Sequence, residues 1–322
     1  MSTKLDFVRA GLIAQGVPAY GEIYGLSEDP TTAAGMEMQN WFDPDKWFDS
    51  LVTAEAGMTT GRNDTLLLTP EAHDLAAMLT WDLNFGHLCG LSGAGRQNKR
   101  TRISQSAAVA KLITVSGYGN VFANLYLMHG TASATNKVGL YITGERNSFI
   151  NSHFLTQDAT TLDQTAYYLV SINAGEQYFK DCFFGSDAVA MSKGSLVQLG
   201  ATGDGGPPRA VFENCIFVMD SDAAGVAFID CALAGLGSGI AVFKDCHFIN
   251  HGTSLTYAIL GAGLSNFNLY FDNQCSFAGV DDIVEVTYES YVWCGGVNLA
   301  VNQVNTASSK LFNMLATHPD VS

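Results

Sequence analysis

Phe179-Lys-Asp181-Cys182-Phe-Phe184, Phe212-Glu213-Asn214-Cys215-Ile216-Phe217 and Phe243-Lys-Asp245-Cys246-His-Phe248 are one phrase written three times. Looser copies flank them: Phe122-Ala-Asn124-Leu-Tyr126-Leu127, Phe149-Ile-Asn151-Ser-His-Phe154 and Phe271-Asp-Asn273-Gln274-Cys275-Ser-Phe277, the last one residue longer. Successive first phenylalanines lie 27, 30, 33, 31 and 28 residues apart, so the spacing varies while the phrase persists. A period of this size marks a repeat in which each unit packs on the next. Before each later copy stands a short apolar run: Gly139-Leu-Tyr-Ile142, Tyr167-Tyr-Leu-Val170, Leu196-Val-Gln-Leu199, Val226-Ala-Phe-Ile229 and Tyr257-Ala-Ile-Leu260. Aromatic and β-branched residues in runs this short read as strand. The joining segments, such as Gly200-Ala-Thr-Gly-Asp-Gly-Gly-Pro-Pro208, are turn material. Helical repeats of similar period would need longer amphipathic stretches, which the sequence lacks here.

Strands at this period predict a coil stacked on its own next copy, with backbone hydrogen bonds between coils about 4.8 Å apart. The two phenylalanines and the cysteine of the phrase then point inward and stack on their equivalents. The Asn or Asp sits at a corner, where it tolerates left-handed backbone and offers its side chain to the neighbouring coil's backbone. The expected ladder residues are Phe122, Asn124, Phe149, Asn151, Phe179, Asp181, Cys182, Phe212, Asn214, Cys215, Phe243, Asp245, Cys246, Phe271, Asn273 and Cys275. A column of small buried cysteines also accounts for a set of seven that has no CxxC pair and describes neither a disulfide framework nor a zinc site.

On these residues the chain resembles the right-handed parallel β-helix superfamily, the pectate-lyase-like fold, whose coils carry such aromatic and asparagine ladders. Upstream segments extend the resemblance. Asp43-Pro44 reads as an N-cap and first helical residue, with Trp47, Phe48, Leu51, Val52 and Ala54 as an apolar helix face. Asn63 to Pro70 reads as a strand, and Leu79 to Gly95 as a strand followed by a glycine-rich turn. The resemblance implies an all-β solenoid of about eight coils over 42–304 with a short helical cap at its start. An arm over 1–41, without a core of its own, is expected to dock on a partner, and 305–322 to form a C-terminal capping helix.

Only 15% of the residues are charged, against about 25% in an ordinary soluble domain. Apolar side chains must therefore cover more than an interior. The outward positions beside the second phenylalanine, Tyr126, Met128, Leu155, Phe183, Ile216, Val218 and Ile249, form an apolar strip. Such a strip calls for a cover: the same strip on identical chains around a three-fold axis, or a loop or arm of this chain. The outward residues Lys180, Glu213, Lys244 and Asp272 alternate in sign and read as a solvated face. Sixteen Lys and Arg against 31 Asp and Glu give a net charge of −15, which opposes nucleic-acid or membrane binding through a general positive field. Arg96, Lys99, Arg100 and Arg102 are a local exception, either a solvated loop or a dock for an acidic partner.

The sequence offers little catalytic equipment. The calcium-binding carboxylates and basic residue that the resemblance would bring from pectate lyases are missing. Glycoside hydrolysis needs paired carboxylates; Asp181, Glu213, Asp245 and Asp272 could be so placed, although the stacked coils already account for each. The seven histidines show neither HxH nor HExxH spacing, and Gly90 to Arg96 is not a phosphate-binding loop. No catalytic residue, cofactor or metal is expected. Met1 to Gly16 carries Asp6 and Arg9 where a signal peptide would be apolar, so synthesis in a host cytoplasm is expected. The chain is similar to bacteriophage virion β-helix proteins, which implies a trimeric capsid decoration or head-spike protein attached through its arm to partners such as the major capsid protein. The alternatives are a polysaccharide-degrading tail spike, lyase or hydrolase, and a module that binds host surface glycan on Tyr126, Tyr178 and Phe183.

Overall fold

The computed structural model describes residues 2–92, 100–130, 137–156, 167–200, 207–221, 223, 225–231, 239–252, 255–261, 267–284 and 292–295. Its strands form three long sheets of eleven, eight and seven strands, plus a two-stranded pair. Every pairing among the described residues is parallel, and each strand pairs with its equivalent one repeat away. One coil shows the pattern: Gln177–Lys180 in the first sheet, Phe183–Ala190 in the second and Ser195–Leu199 in the third. The fold is therefore the all-β parallel solenoid that the repeat implies.

The phrase sets the register. Phe122, Phe149, Phe179, Phe212, Phe243 and Phe271 form one buried file, with neighbouring rings 4.5–4.9 Å apart and within 11° of parallel. Phe154, Phe184, Phe217, Phe248 and Phe277 form a second, at 4.4–5.0 Å. Rings of the two files meet edge to face, as between Phe212 and Phe217 at 5.8 Å and 62°, so each ring satisfies both favourable aromatic geometries.

Between the files the chain turns through left-handed backbone at Asn124, Asn151, Asp181, Asn214 and Asp245, with φ from 46° to 59°. Asn and Asp are the side chains that tolerate this region best. The corner N–H groups of Asn124, Asn151, Asp181 and Asn214 donate to the carbonyls of Ile150, Lys180, Glu213 and Lys244 in the following coil. The corner side chains bond one another, contrary to the expectation that they hold backbone: Asn151 Nδ2 donates to Asn124 Oδ1 at 2.7 Å, and Asn214 Nδ2 to Asp181 Oδ1 at 2.6 Å. Asn273 falls out of the file because its copy carries the extra Gln274. Asp272 holds that corner instead, its carboxylate accepting the N–H groups of Asp245, Gln274 and Cys275. Cys182, Cys215, Cys246 and Cys275 stack beneath, each thiol facing the carbonyl of the first phenylalanine one coil back at 3.4–3.6 Å. All seven cysteines are free.

The start of the chain differs in detail from the sequence reading. The described part of residues 1–41, expected to lack a core of its own, packs on the chain's own first sheet. Ile23–Leu26 is a strand of the first sheet, paired with Thr65–Leu68 on one side and Trp47–Phe48 on the other. The helix Ser2–Ala14 lies back over the outside of that sheet. There Leu12, Val17 and Ala19 share a core with Leu67, Cys89, Val121 and Ala123, packed also by Leu5, Val8 and Ile150. The outward residues of the early coils are apolar, so the segment finds its core on its own chain.

The helical cap begins later than Asp43-Pro44 suggests. Pro44–Lys46 is one 3₁₀ turn, Trp47–Phe48 pairs at the sheet edge, and the helix is Leu51–Gly57 with Ser50 as its cap. Leu51 and Ala54 close the end of the interior beside Leu66, Leu79 and Trp81. The residues 305–322 assigned to a C-terminal cap lie outside the described residues.

Candidate functional site

The third sheet turns a polar file outward. In Tyr168–Ile172, Ser195–Leu199 and Ala227–Cys231, the pairs Val170/Ile172, Val197/Leu199 and Ile229/Cys231 join the interior. The residues between them, Ser171, Gln198 and Asp230, stand in register facing away from that interior, Ser171 and Gln198 buried and Asp230 half-buried, continued upstream by the buried Tyr141. Ser171 Oγ donates to Gln198 Oε1 at 2.7 Å, and Asn173 Nδ2 to Ser171 Oγ at 3.1 Å. Two coils from Asp230, Tyr168 reaches across so that its Oη donates to Asp230 Oδ2 at 2.9 Å. Burial pushes the Asp230 carboxyl above the ordinary carboxylate range, and the Tyr168 hydrogen bond offsets part of that rise. Burial, then the Asp230 charge, pushes the Tyr168 phenol up. Lys111 Nζ lies 3.2 Å from the centre of the Tyr141 ring on the same face.

A half-buried acid with raised affinity for its proton is a common feature of acid–base sites. Here it holds the Tyr168 phenol. A second carboxylate, as hydrolysis of a glycosidic bond requires, does not stand in this file among the described residues. The sequence reading passed over Tyr168, Ser171, Gln198 and Asp230. A signal was present in the polar residue second from the end of each strand, Ser171 in Tyr-Leu-Val-Ser-Ile172, Gln198 in Ser-Leu-Val-Gln-Leu199 and Asp230 in Ala-Phe-Ile-Asp-Cys231.

The four carboxylates singled out by spacing are engaged elsewhere. Asp181 accepts from Asn214, Asp272 caps a corner, and Asp245 Oδ1 lies 3.8 Å from His247 Nε2. Glu213 accepts the Tyr178 hydroxyl at 3.0 Å and pairs with Lys180 at 3.3 Å, contacts that hold its carboxyl below the usual range.

Of the apolar strip on the second sheet, Tyr126, Met128 and Leu155 form a small buried cluster within the single chain, and Val218 is buried too. Phe183, Ile216 and Ile249 remain half-buried. Part of the cover is the basic cluster itself: the Arg100 guanidinium lies over the Tyr126 ring, 4.3 Å from its centre. Arg102 stands in register with Tyr126 on the adjacent strand, while Arg96 and Lys99 lie outside the described residues. His73, His87 and His129 are buried, and among the described residues no group of three His, Cys, Asp or Glu could hold a metal ion. No helix there is long and apolar enough to cross a membrane.

No protein-family model matches the chain, nor does any curated protein. Solved structures do. A pectin methylesterase in complex with a hexasaccharide superposes with a TM-score of 0.55 at 13% identity, over 88% of this chain and 91% of that one. Pectin methylesterase PemA from Erwinia chrysanthemi gives 0.53 at 14%, over 86% and 81%. Pectate lyase Pel9A gives 0.50 at 14%, over 92% and 86%. Likeness at such identities is likeness of architecture: the chain has the parallel β-helix fold of pectin methylesterases and pectate lyases.

Proposed function

We propose that the chain is a structural protein of a bacteriophage particle, a trimeric capsid decoration or head-spike protein. The observation that carries this reading is how the repeat spends its residues. Its phenylalanines, cysteines and corner Asn and Asp fasten one coil to the next, and the outside of the second sheet keeps a half-buried apolar edge at Phe183, Ile216 and Ile249. A protein built mainly to hold a rigid shape and present an edge suits assembly. The N-terminal segment, folded on its own sheet, still turns Phe7 outward with 83% of its surface exposed, which gives an attachment point toward the major capsid protein.

Purified particles and the isolated chain test this together. The proposal expects the protein in particles at a copy number matching capsid symmetry, a trimer mass in solution, and dissociation on Phe183→Asp. Recovery only as a soluble monomer outside particles would overturn it. A second reading, a polysaccharide lyase or hydrolase, is favoured by Asp230 and Tyr168 alone; depolymerising activity that Asp230→Asn abolishes would establish it.

A further inference from the structure

Outward residues of the first sheet run in one file from Val121 and Ser148 to Tyr178, Val211, Val242 and Tyr270, each in register with the next. Val121 belongs to the core that the sheet shares with the helix Ser2–Ala14. Past that helix the file stays apolar, yet no core cluster among the described residues takes in Tyr178, Val211 or Val242. Val211 and Val242 are half-buried, and Ile240 and Tyr270 beside them are 39% and 41% exposed. A contiguous apolar file on a folded chain calls for a cover.

The chain carries a segment suited to it. Val292–Cys294 closes the first sheet, with Trp293 in register with Tyr270, so the chain leaves the sheet at the end of this very file. Residues 296–322 follow and lie outside the described residues. Gly295-Gly296 suits a reversal of direction. In Ser308-Ser309-Lys310-Leu311-Phe312-Asn313-Met314-Leu315, two serines suit a helix start, and Leu311 and Leu315 stand four apart with Phe312 beside them. Val8 and Leu12, which hold Ser2–Ala14 on the early part of the sheet, have the same spacing. The stretch from 296 to 307 can span about 40 Å when extended, whereas Val242 lies two strands from Trp293, about 10 Å. Residues 305–322 carry one Lys and one Asp, so the −15 of the whole chain does not hold them off.

We propose that the segment 305–322 docks on the outside of the first sheet, over Val211, Val242 and Tyr270, and does for the later coils what Ser2–Ala14 does for the early ones. Leu311, Phe312 and Leu315 supply the apolar contact. The segment then lies along the side of the solenoid, where the sequence reading set it across the end. A second copy of the whole chain is the weaker occupant, because two chains of charge −15 repel each other. The inference does not depend on whether the chain belongs to a particle.

The test places the photo-crosslinking residue p-benzoylphenylalanine at Val242 of the full-length chain and, in a separate variant, at Ile249 on the second sheet. After irradiation and trypsin digestion, mass spectrometry identifies the joined peptides. The Val242 variant is expected to capture the peptide from Leu311 to Ser322, and the Ile249 variant is not. Irradiating a mixture of ¹⁵N-labelled and unlabelled chains separates a chain's own segment from a neighbour's: each joined pair should carry a single label. Leu311→Asp together with Leu315→Asp should abolish the capture. Thermal melts check that the variants fold, and the same residue at Tyr270, a closer match in size, carries the test if the Val242 variant does not. No capture, capture of another part of the chain, equal capture from Ile249, or capture that survives the two Asp substitutions would overturn the proposal. So would pairs of mixed label, because a second copy would then occupy the face.

Discussion

Phe212 sits at the centre of the aromatic interior, and its removal measures what the repeat contributes. Its ring stacks on Phe179 at 4.9 Å and on Phe243 at 4.8 Å, and meets Phe184 and Phe217 edge-on at 5.9 and 5.8 Å. A buried Phe→Ala change costs about 3–5 kcal/mol, depending on how far the site can collapse. Here collapse is resisted, because the rings above and below are fixed by backbone pairing on both sides. Phe212→Ala should therefore fall at the upper end, about 5 kcal/mol, which is comparable to the whole stability of many domains. Phe277, with one stacked neighbour and one edge-on neighbour, should cost about 3 kcal/mol on the same change. Phe212→Leu keeps most of the buried area and loses the ring geometry, so about 1–2 kcal/mol is expected. Because solenoids unfold by neighbouring units, hydrogen exchange resolved along the chain is the appropriate assay. Protection should fall most in the strands from Gln177 to Asn250 and hardly at all in Thr65–Leu68. A loss below about 2 kcal/mol, or a Phe277→Ala loss equal to that at Phe212, would refute the idea that the stacked files hold the coils.

Other parts of the molecule give equally definite expectations. At Asn151, φ is 46° and the side chain bonds Asn124, so Asn151→Ala loses that bond and adds left-handed strain, whereas Asn151→Gly only loses the bond. In urea titrations Ala should be the less stable of the two by about 1 kcal/mol. Burial pushes His87 and His129 down to about 4, so both stay neutral in the fold while the unfolded chain protonates near 6.5. The unfolded state then binds more protons between these values, and stability should fall as pH drops from about 6.5 to 4, by up to about 3 kcal/mol for each. His87 Nδ1 accepts the Val121 N–H, and His87→Asn, which keeps an acceptor there, should flatten its share of the slope. Cys89 lies under the N-terminal helix with its thiol pushed up to about 12 by burial. Leu12→Asp should loosen that cover and let a maleimide label Cys89 while Cys215 and Cys246 stay unmodified.

What could be read from the sequence was whatever repeats. Phe179, Phe212 and Phe243 meet their own equivalents, so identical residues at a steady spacing reveal a contact between coils directly. The N-terminal cover was illegible for the opposite reason: Leu5, Val8 and Leu12 meet Leu67, Cys89 and Val121 once each, across a long separation and with no repeat to expose them. The outward file on the third sheet lies between these cases. Its register repeats, but its residues change from Ser171 to Gln198 to Asp230 because the outside of a coil is not constrained to stack like on like. The cap starts later than expected, at Leu51 instead of Pro44, since Pro44 opens a 3₁₀ turn and Trp47 and Phe48 are then taken up by backbone pairing with Gly25 and Leu26.

The central claim is that each copy of the phrase is one coil, stacked in register on the next, and cross-linking tests it most directly. Lys180 and Glu213 are register partners on adjacent strands, with Lys244 the partner of Glu213 one coil further on. Adjacent parallel strands place such partners about 4.8 Å apart, within disulfide reach, and two coils about 10 Å apart, beyond it. Under mild oxidation Lys180→Cys with Glu213→Cys should form an intramolecular disulfide, and Lys180→Cys with Lys244→Cys should not. Failure of the first pair to close, or equal closure of the second, would contradict the stack.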